Sequence, residues 1–156
     1  MIDELRTRLF IQLVRHEGKR NRMYTDSRGI ATIGIGHNLR DVPISDRAVT
    51  VMFEDDLATV ERDLERELPW VAALVLPRQA ALYDMAFNLG IGSAAQGTGL
   101  LGFVRMLVAA ETGDFEGAAR QILTSRYRTQ VGDRAVTVAA MMRTGQWPSW
   151  LESVLG

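Results

Sequence analysis

The chain sets three oxygen-bearing side chains at short intervals: Glu17, Asp26 nine residues later, and Thr32 six residues after that. Two carboxyl groups in one cleft can divide acid and base work. One donates a proton to a leaving group while the other, ionised, steadies positive charge or activates water. A threonine hydroxyl beside them can hold that water. Read singly, each carboxylate is an ordinary solvated side chain. What joins them is the stretch His16–Asn38, HEGKRNRMYTDSRGIATIGIGHN, which combines acids with a strand-and-turn pattern found nowhere else in the chain.

Each of the three needs an element to hold it. Leu5, Leu9, Phe10, Leu13 and Val14 recur at helical spacing and predict a first helix over Asp3–Glu17, stopped at Gly18, a residue suited to the left-handed cap. Glu17 then lies in the last turn, facing the negative end of the helix dipole. Burial there would further disfavour a charged carboxylate, which suits a proton donor. Asp26-Ser27-Arg28-Gly29 is a turn signal between two runs rich in Tyr, Thr and Ile, so a hairpin is expected, followed by a third short strand or turn. Ile33-Gly34-Ile35-Gly36 lacks the helix-opening Lys-Ser/Thr of a phosphate loop. Its glycines read as places where a chain or a sugar approaches the backbone closely.

The remainder reads as helix. Ser45 is a good N-cap, and Val49, Met52, Phe53, Leu57, Val60, Leu64 and Leu68 mark one face of a helix of roughly 22 residues ending at Pro69, some 30 Å long. A short turn over Trp70–Val75 follows, then helices over Pro77–Leu89, Phe103–Thr112, Phe115–Thr124 and Asp133–Thr144, the last stopped at Gly145. Trp147, Trp150 and Leu151 are expected to pack as a lid on this helical part. Ile91–Leu100, rich in Gly, Ala and Ser, reads as a mobile loop.

At 156 residues with 47% hydrophobic and 24% charged content, the chain is of ordinary globular composition and can bury a proper core. No cysteine is present, so disulfide and thiolate chemistry are excluded. With two histidines and no cysteine a metal site is not expected. Asp3, Glu4, Arg6 and Arg8 interrupt the first apolar residues, so no signal peptide is expected, nor any membrane span. The net charge of −1 gives no general attraction to nucleic acid, and the last helix carries only Arg134 and Arg143, which argues against a nucleic-acid binder. The charge is uneven, however. Arg15–Arg28 carries five basic residues against two acids, whereas Glu54–Glu67 carries seven acids against two arginines.

With these residues in place the chain resembles the phage-type lysozymes, the endolysin muramidases of glycoside hydrolase family 24. The resemblance rests on Glu17-Gly18, Tyr24 and Asp26, and Thr32-Ile33-Gly34-Ile35-Gly36-His37. It extends to Ala86-Phe87-Asn88-Leu89-Gly90 with Gly102-Phe103, and to Ser125-Arg126-Tyr127, Asp133-Arg134-Ala135 and Arg143-Thr144-Gly145 with Trp147. It implies an α+β, mostly helical fold: a hairpin lobe over about 16–44, a linking helix over 45–68, and a helical lobe over 69–156 that includes the N-terminal helix, with the cleft between lobes.

The resemblance also implies hydrolysis of the β-1,4 bond between N-acetylmuramic acid and N-acetylglucosamine in bacterial peptidoglycan, without a cofactor. Glu17 would be the general acid, with Asp26 ionised and Thr32 holding the water; inversion follows if the carboxyls stand roughly 6.5 to 9.5 Å apart. Asn88, Arg126, Tyr127, Gln130 and Arg134 match positions that line the cleft, and His37 would pair with Asp56 as a structural contact. A monomer is implied, kept in the host cytoplasm until a holin-like, membrane-permeabilising partner releases it to the wall.

Two departures from the family pattern stand out. The segment from His37 to Ser45 is short, as if a helix of the T-even phage enzymes were missing, and Ile91–Leu100 is longer than expected. The rival class is a lysozyme-like wall-binding or virion structural module without catalysis; a lytic transglycosylase would cut the same bond with one acid and no water.

Overall fold

The computed structural model describes residues 3–155, which group into two units, Met1–Met52 and Phe53–Gly156. In the first, helix α1 (Asp3–Glu17) carries Asp3 and Glu4 in its first turn and Arg15 and His16 in its last, a distribution that complements the helix dipole. Gly18 ends it with φ 76°, its amide donating to the Val14 carbonyl at 3.0 Å.

A three-stranded antiparallel sheet follows, in the order β1 (Arg20–Thr25), β2 (Ala31–Gly34), β3 (His37–Asn38). Arg20 pairs with Gly34 and Tyr24 with Thr32, so β1 holds two residues more than β2 across that interval, and the excess is taken up in an irregularity. The second turn is close because Ile33 pairs with His37. Asn38 secures the chain beyond it, its Oδ1 accepting from the amides of Arg40 at 2.8 Å and Asp41 at 3.1 Å. Arg40 reaches back, Nη2 donating to the Gly29 carbonyl at 2.9 Å, and so ties the two ends of the sheet's turns together.

Helix α2 (Asp46–Glu67) has the expected start: Ser45 Oγ accepts from the Ala48 amide at 3.3 Å. A 3-10 turn (Pro69–Ala73) follows, then α3 (Leu76–Leu89), α4 (Val104–Glu111), α5 (Phe115–Thr124), α6 (Arg126–Val131), α7 (Asp133–Thr144) and α8 (Ser149–Leu155). Leu64, Leu82, Met85, Leu100, Met106, Ile122, Val138 and Met142 are fully buried and form the core of the second unit. Each such side chain contributes on the order of 1.5–3 kcal/mol by leaving water. Ala118, Ala119 and Ala139, buried among them, let α5 lie close to its neighbours α4 and α7. Asp114 caps α5, accepting from the Gly117 amide at 2.8 Å. Arg78 closes the far end of α7: Nε donates to the Met142 carbonyl at 2.9 Å and Nη2 to that of Arg143 at 3.2 Å, with the guanidinium 3.5 Å from the centre of the Phe115 ring.

The α+β, mostly helical architecture expected from the sequence is the one observed. Two helices, α6 and α8, add to those predicted. Trp147 and Trp150 remain 39% and 58% exposed instead of sealing the core, and border a cavity of about 310 Å³ with Asp84, Arg134 and Met141.

The expectation of a mobile loop over 91–100 is corrected. Ser93 and Thr98 form a β-bridge, exchanging backbone hydrogen bonds of 3.0 and 3.1 Å, and Leu100, fully buried, anchors the exit. The glycines are there for contact, not slack. A Cβ on Gly99 would stand 2.6 Å from the Gly92 backbone, one on Gly102 2.6 Å from that of Gly97, and one on Gly92 would strike the Thr98 carbonyl. Gly97 itself has φ 64° but open space around it. Gly99→Ala is therefore expected to cost at least about 2 kcal/mol, since both φ and backbone contact oppose it. Gly97→Ala should cost only the left-handed conformation, about 1 kcal/mol. Urea unfolding of the two variants checks the order, and equal losses would overturn the packing account.

Candidate active site

In the first unit the sheet's first turn is built around Asp26. Its Oδ1 accepts from the amides of both Arg28 and Ile30, each at 2.8 Å, while its own amide donates to the Ile30 carbonyl at 2.9 Å. The same Ile30 carbonyl accepts the Thr32 hydroxyl at 3.0 Å. Asp26 and Thr32 are thus fixed through one residue, and Ile30 and Thr32 are the buried side chains of this unit among the described residues. The Ile30 amide holds the Asp26 carboxyl below its ordinary value, more than offsetting its partial desolvation; the Arg28 amide and the Arg28 guanidinium, 3.5 Å from Oδ2, act in the same direction.

Glu17, exposed on the last turn of α1, lies over Gly36: a Cβ built there would stand 3.6 Å from Glu17 Oε2. Asp26 stands just before β2 and Gly36 just after it, so the two carboxylates belong to opposite ends of that strand. His37, half-buried on β3, has its Nε2 enclosed without a hydrogen-bond partner among the described residues. No cluster of His, Cys, Asp and Glu suited to a metal occurs among the described residues.

The other predicted residues belong to the second unit. Asp56 is exposed on α2 and borders a cavity of about 320 Å³ with Asp63, Phe87 and Ile91. Asn88, on the last turn of α3, is exposed, as are Arg126 and Gln130 on α6. Tyr127, between these last two, is buried, meeting Phe103 edge-on with ring centres 6.0 Å apart. Burial and then the nearby Asp84 charge push its hydroxyl up, with Arg134 pulling the other way. Its hydroxyl has no partner among the described residues. Arg134 gives its Nε to Asp84 Oδ1 at 2.8 Å and its Nη2 to the Asp84 carbonyl at 3.2 Å. Arg126 opens onto a cavity of about 490 Å³ lined by Phe103, Arg105, Gln121, Thr124 and Ser125.

Sequence reasoning did not find Asp84, Arg105 or Gln121. Asp84 lies fifty residues before its partner, and no local spacing marks it.

A family model described as phage lysozyme matches residues 14–143. The chain belongs to the phage lysozyme family. It is 32% identical to the pre-baseplate central spike protein Gp5 of Enterobacteria phage T4 over 166 aligned residues, 88% of this chain and 28% of that protein. It is 34% identical over 93 residues to the endolysin of Salmonella phage P22, 56% of this chain and 64% of that protein. The chain therefore spans less than two thirds of either relative. The phage lysozyme match takes in Glu17, Asp26 and Thr32 and ends at Arg143, before the two exposed tryptophans.

Asp26 carries a turn and a charge at once, and two substitutions separate them. Asp26→Ala removes the acceptor for two amides and should lower the unfolding midpoint clearly. Asp26→Asn keeps an acceptor and should lower it less. Because the folded-state value lies below the ordinary 3.8, the advantage of aspartate over asparagine is full above that pH and fades as pH falls through the lowered value. Thermal melts at pH 7 and pH 3 check this, and an Asn variant whose deficit grows in acid would contradict it.

Proposed function

We propose that this phage lysozyme is a muramidase that hydrolyses the β-1,4 bond between N-acetylmuramic acid and N-acetylglucosamine in peptidoglycan. Glu17 protonates the leaving oxygen, and Asp26 with Thr32 presents the water. The observation that carries the reading is the hydrogen-bond pattern at Ile30. The Thr32 hydroxyl spends its hydrogen on the Ile30 carbonyl, so towards a water it only accepts. Asp26 Oδ1 is occupied by two amides, and Oδ2, with only the Arg28 Nε beside it at 3.5 Å, keeps a lone pair to accept from a water. A water that donates one hydrogen to each of these acceptors has a lone pair left to attack the anomeric carbon.

An ionised Asp26 suits this work, being held below its ordinary value by the Ile30 amide first and by Arg28. The position of the two carboxylates at opposite ends of β2 supports the wider spacing of inverting enzymes, which leaves room for the water. As a finer part of the proposal, the enzyme reaches the wall from the host cytoplasm through a membrane-permeabilising partner; among the described residues no helix is long and apolar enough to cross a membrane.

One observation favours a second reading: the similarity to the central spike protein covers 88% of this chain. On that reading the chain is a lysozyme-like module serving within a virion structure, as a wall binder with no need of catalysis.

Reducing-end analysis of digested peptidoglycan decides between them. Glu17→Gln should cut the release of reducing ends by at least about a hundredfold, the usual worth of a positioned general acid, and the wild-type product should appear first as the inverted anomer. No release by the wild type would support the structural module, whereas equal release by both proteins would remove Glu17 from the mechanism. Thr32→Val, which removes the acceptor, should lose far more rate than Thr32→Ser, which keeps it.

A further inference from the structure

Arg20 is not used by the catalytic reading. The register nevertheless places it on the site's side of the sheet. Arg20 pairs with Gly34 and Tyr24 with Thr32, and residues 32 and 34 share one face of β2, so Arg20 and Tyr24 share the face that carries the Thr32 hydroxyl. The guanidinium confirms that side by stacking on the Tyr24 ring, 4.4 Å from its centre. Opposite Arg20 there is no side chain at all: a Cβ on Gly34 would meet nothing within 4 Å. The stack therefore borders bare backbone at Gly34, and Glu17 lies against Gly36 two residues further along the chain.

Its charge is also uncommitted. Arg28 is drawn to Asp26 and Arg40 to the Gly29 carbonyl, but Arg20 makes no ion pair with any acid among the described residues. Lys19 and Arg22 flank it, so the local field favours an anion. A guanidinium resting over a ring 4.4 Å from its centre gives up less conformational entropy when a planar, two-oxygen anion arrives, and its donors remain uncommitted to any acid among the described residues.

Building on the muramidase reading, we propose that Arg20, braced by Tyr24, is a specificity residue that binds a carboxylate carried by the glycan strand next to the bond being cut. Two kinds of carboxylate meet this chemistry, the lactyl group of a bare muramic residue and the free carboxyls of a stem peptide. Both present the same two-oxygen edge. The glycine at position 34 leaves the space the group needs, and the tyrosine sets the height of the guanidinium above the sheet. Since Arg20 is exposed, the contact remains partly solvated and its effect is a moderate one.

The test combines a binding and a kinetic arm on three substrates: native peptidoglycan, peptidoglycan with its carboxyls converted to methylamides, and glycan strands stripped of stem peptides. The wild type should lose about tenfold in kcat/KM, through KM, when the carboxyls are blocked. Arg20→Gln should lose a similar factor on native substrate and nothing more on blocked substrate, and Arg20→Lys should restore part of it. Tyr24→Leu should weaken the discrimination by removing the brace. A loss on blocking native walls assigns the contact to the stem peptide, whose carboxyls are the free ones there, and a wild-type advantage over Arg20→Gln seen on stripped strands but not on native walls assigns it to the lactyl carboxylate that stripping exposes. If Arg20→Gln and the wild type fall by the same factor on blocking and act equally on stripped strands, the proposal is wrong.

The binding arm keeps this separate from the muramidase reading. Sedimentation of Glu17→Gln protein, with and without Arg20→Gln, on native and blocked walls reads the carboxylate contact without turnover. A wild type that releases no reducing ends would overturn catalysis, while the binding difference would still decide the role of Arg20.

Discussion

The Asp26 carboxylate, accepting the amides of Arg28 and Ile30 through one oxygen, is the interaction on which the first unit turns. Those bonds close the loop between β1 and β2 and thereby set the register that pairs Tyr24 with Thr32. They also favour the ionised carboxylate, so the group that shapes the turn keeps the charge that the proposed chemistry needs. Ile30 completes the linkage by spending its carbonyl on both the Asp26 amide and the Thr32 hydroxyl. Shape and reactivity are fixed by the same few atoms, which is why a disturbance at Ile30 would be felt at both polar side chains.

Glycine performs two different tasks in this chain. At Gly34 and Gly36 nothing crowds a Cβ, and it is the backbone, with φ 68° and 76°, that calls for glycine, leaving the sheet face bare beside the Arg20 and Tyr24 stack. Between Gly90 and Gly102 the opposite holds. There the strands of one short hairpin press backbone to backbone, and the missing Cβ atoms are what allow contact. Composition alone does not distinguish the two, because a run rich in Gly, Ala and Ser is equally compatible with slack and with close packing. The deciding feature is Leu100, whose full burial draws the segment in.

This explains what the sequence disclosed and what it withheld. Periodic apolar residues and terminal glycines were enough to bound α1, α5 and α7, and the Asp26–Gly29 signal was enough for the hairpin, because those features depend on neighbours along the chain. Helix α6, six residues long, offers too few turns for a period to appear, and α8 was masked by the tryptophans that flank its start. The spacing of Glu17, Asp26 and Thr32 pointed to a site. It did not reveal that Asp26 and Thr32 are joined through Ile30, since that bond pattern depends on a strand register. Asp84 with Arg134, and Arg78 with the end of α7, join residues fifty or more positions apart, which no local pattern encodes.

The net charge of −1 conceals a division that bears on the chemistry. Residues 1–52 contain nine arginine and lysine side chains against six acids, so the unit holding both carboxylates of the proposed site is the basic one. A carboxylate needed as a proton donor is poorly served by free cations nearby, whereas one needed as an anion is well served. The geometry separates these demands. Arg28 goes to Asp26, Arg40 to a backbone carbonyl and Arg20 to the face of a tyrosine ring, while Glu17 rests over the bare backbone of Gly36 with no ion pair among the described residues. Among the described residues one arginine is thus drawn to Asp26 and none is paired with Glu17, so the two carboxylates stand in different surroundings within the same basic unit.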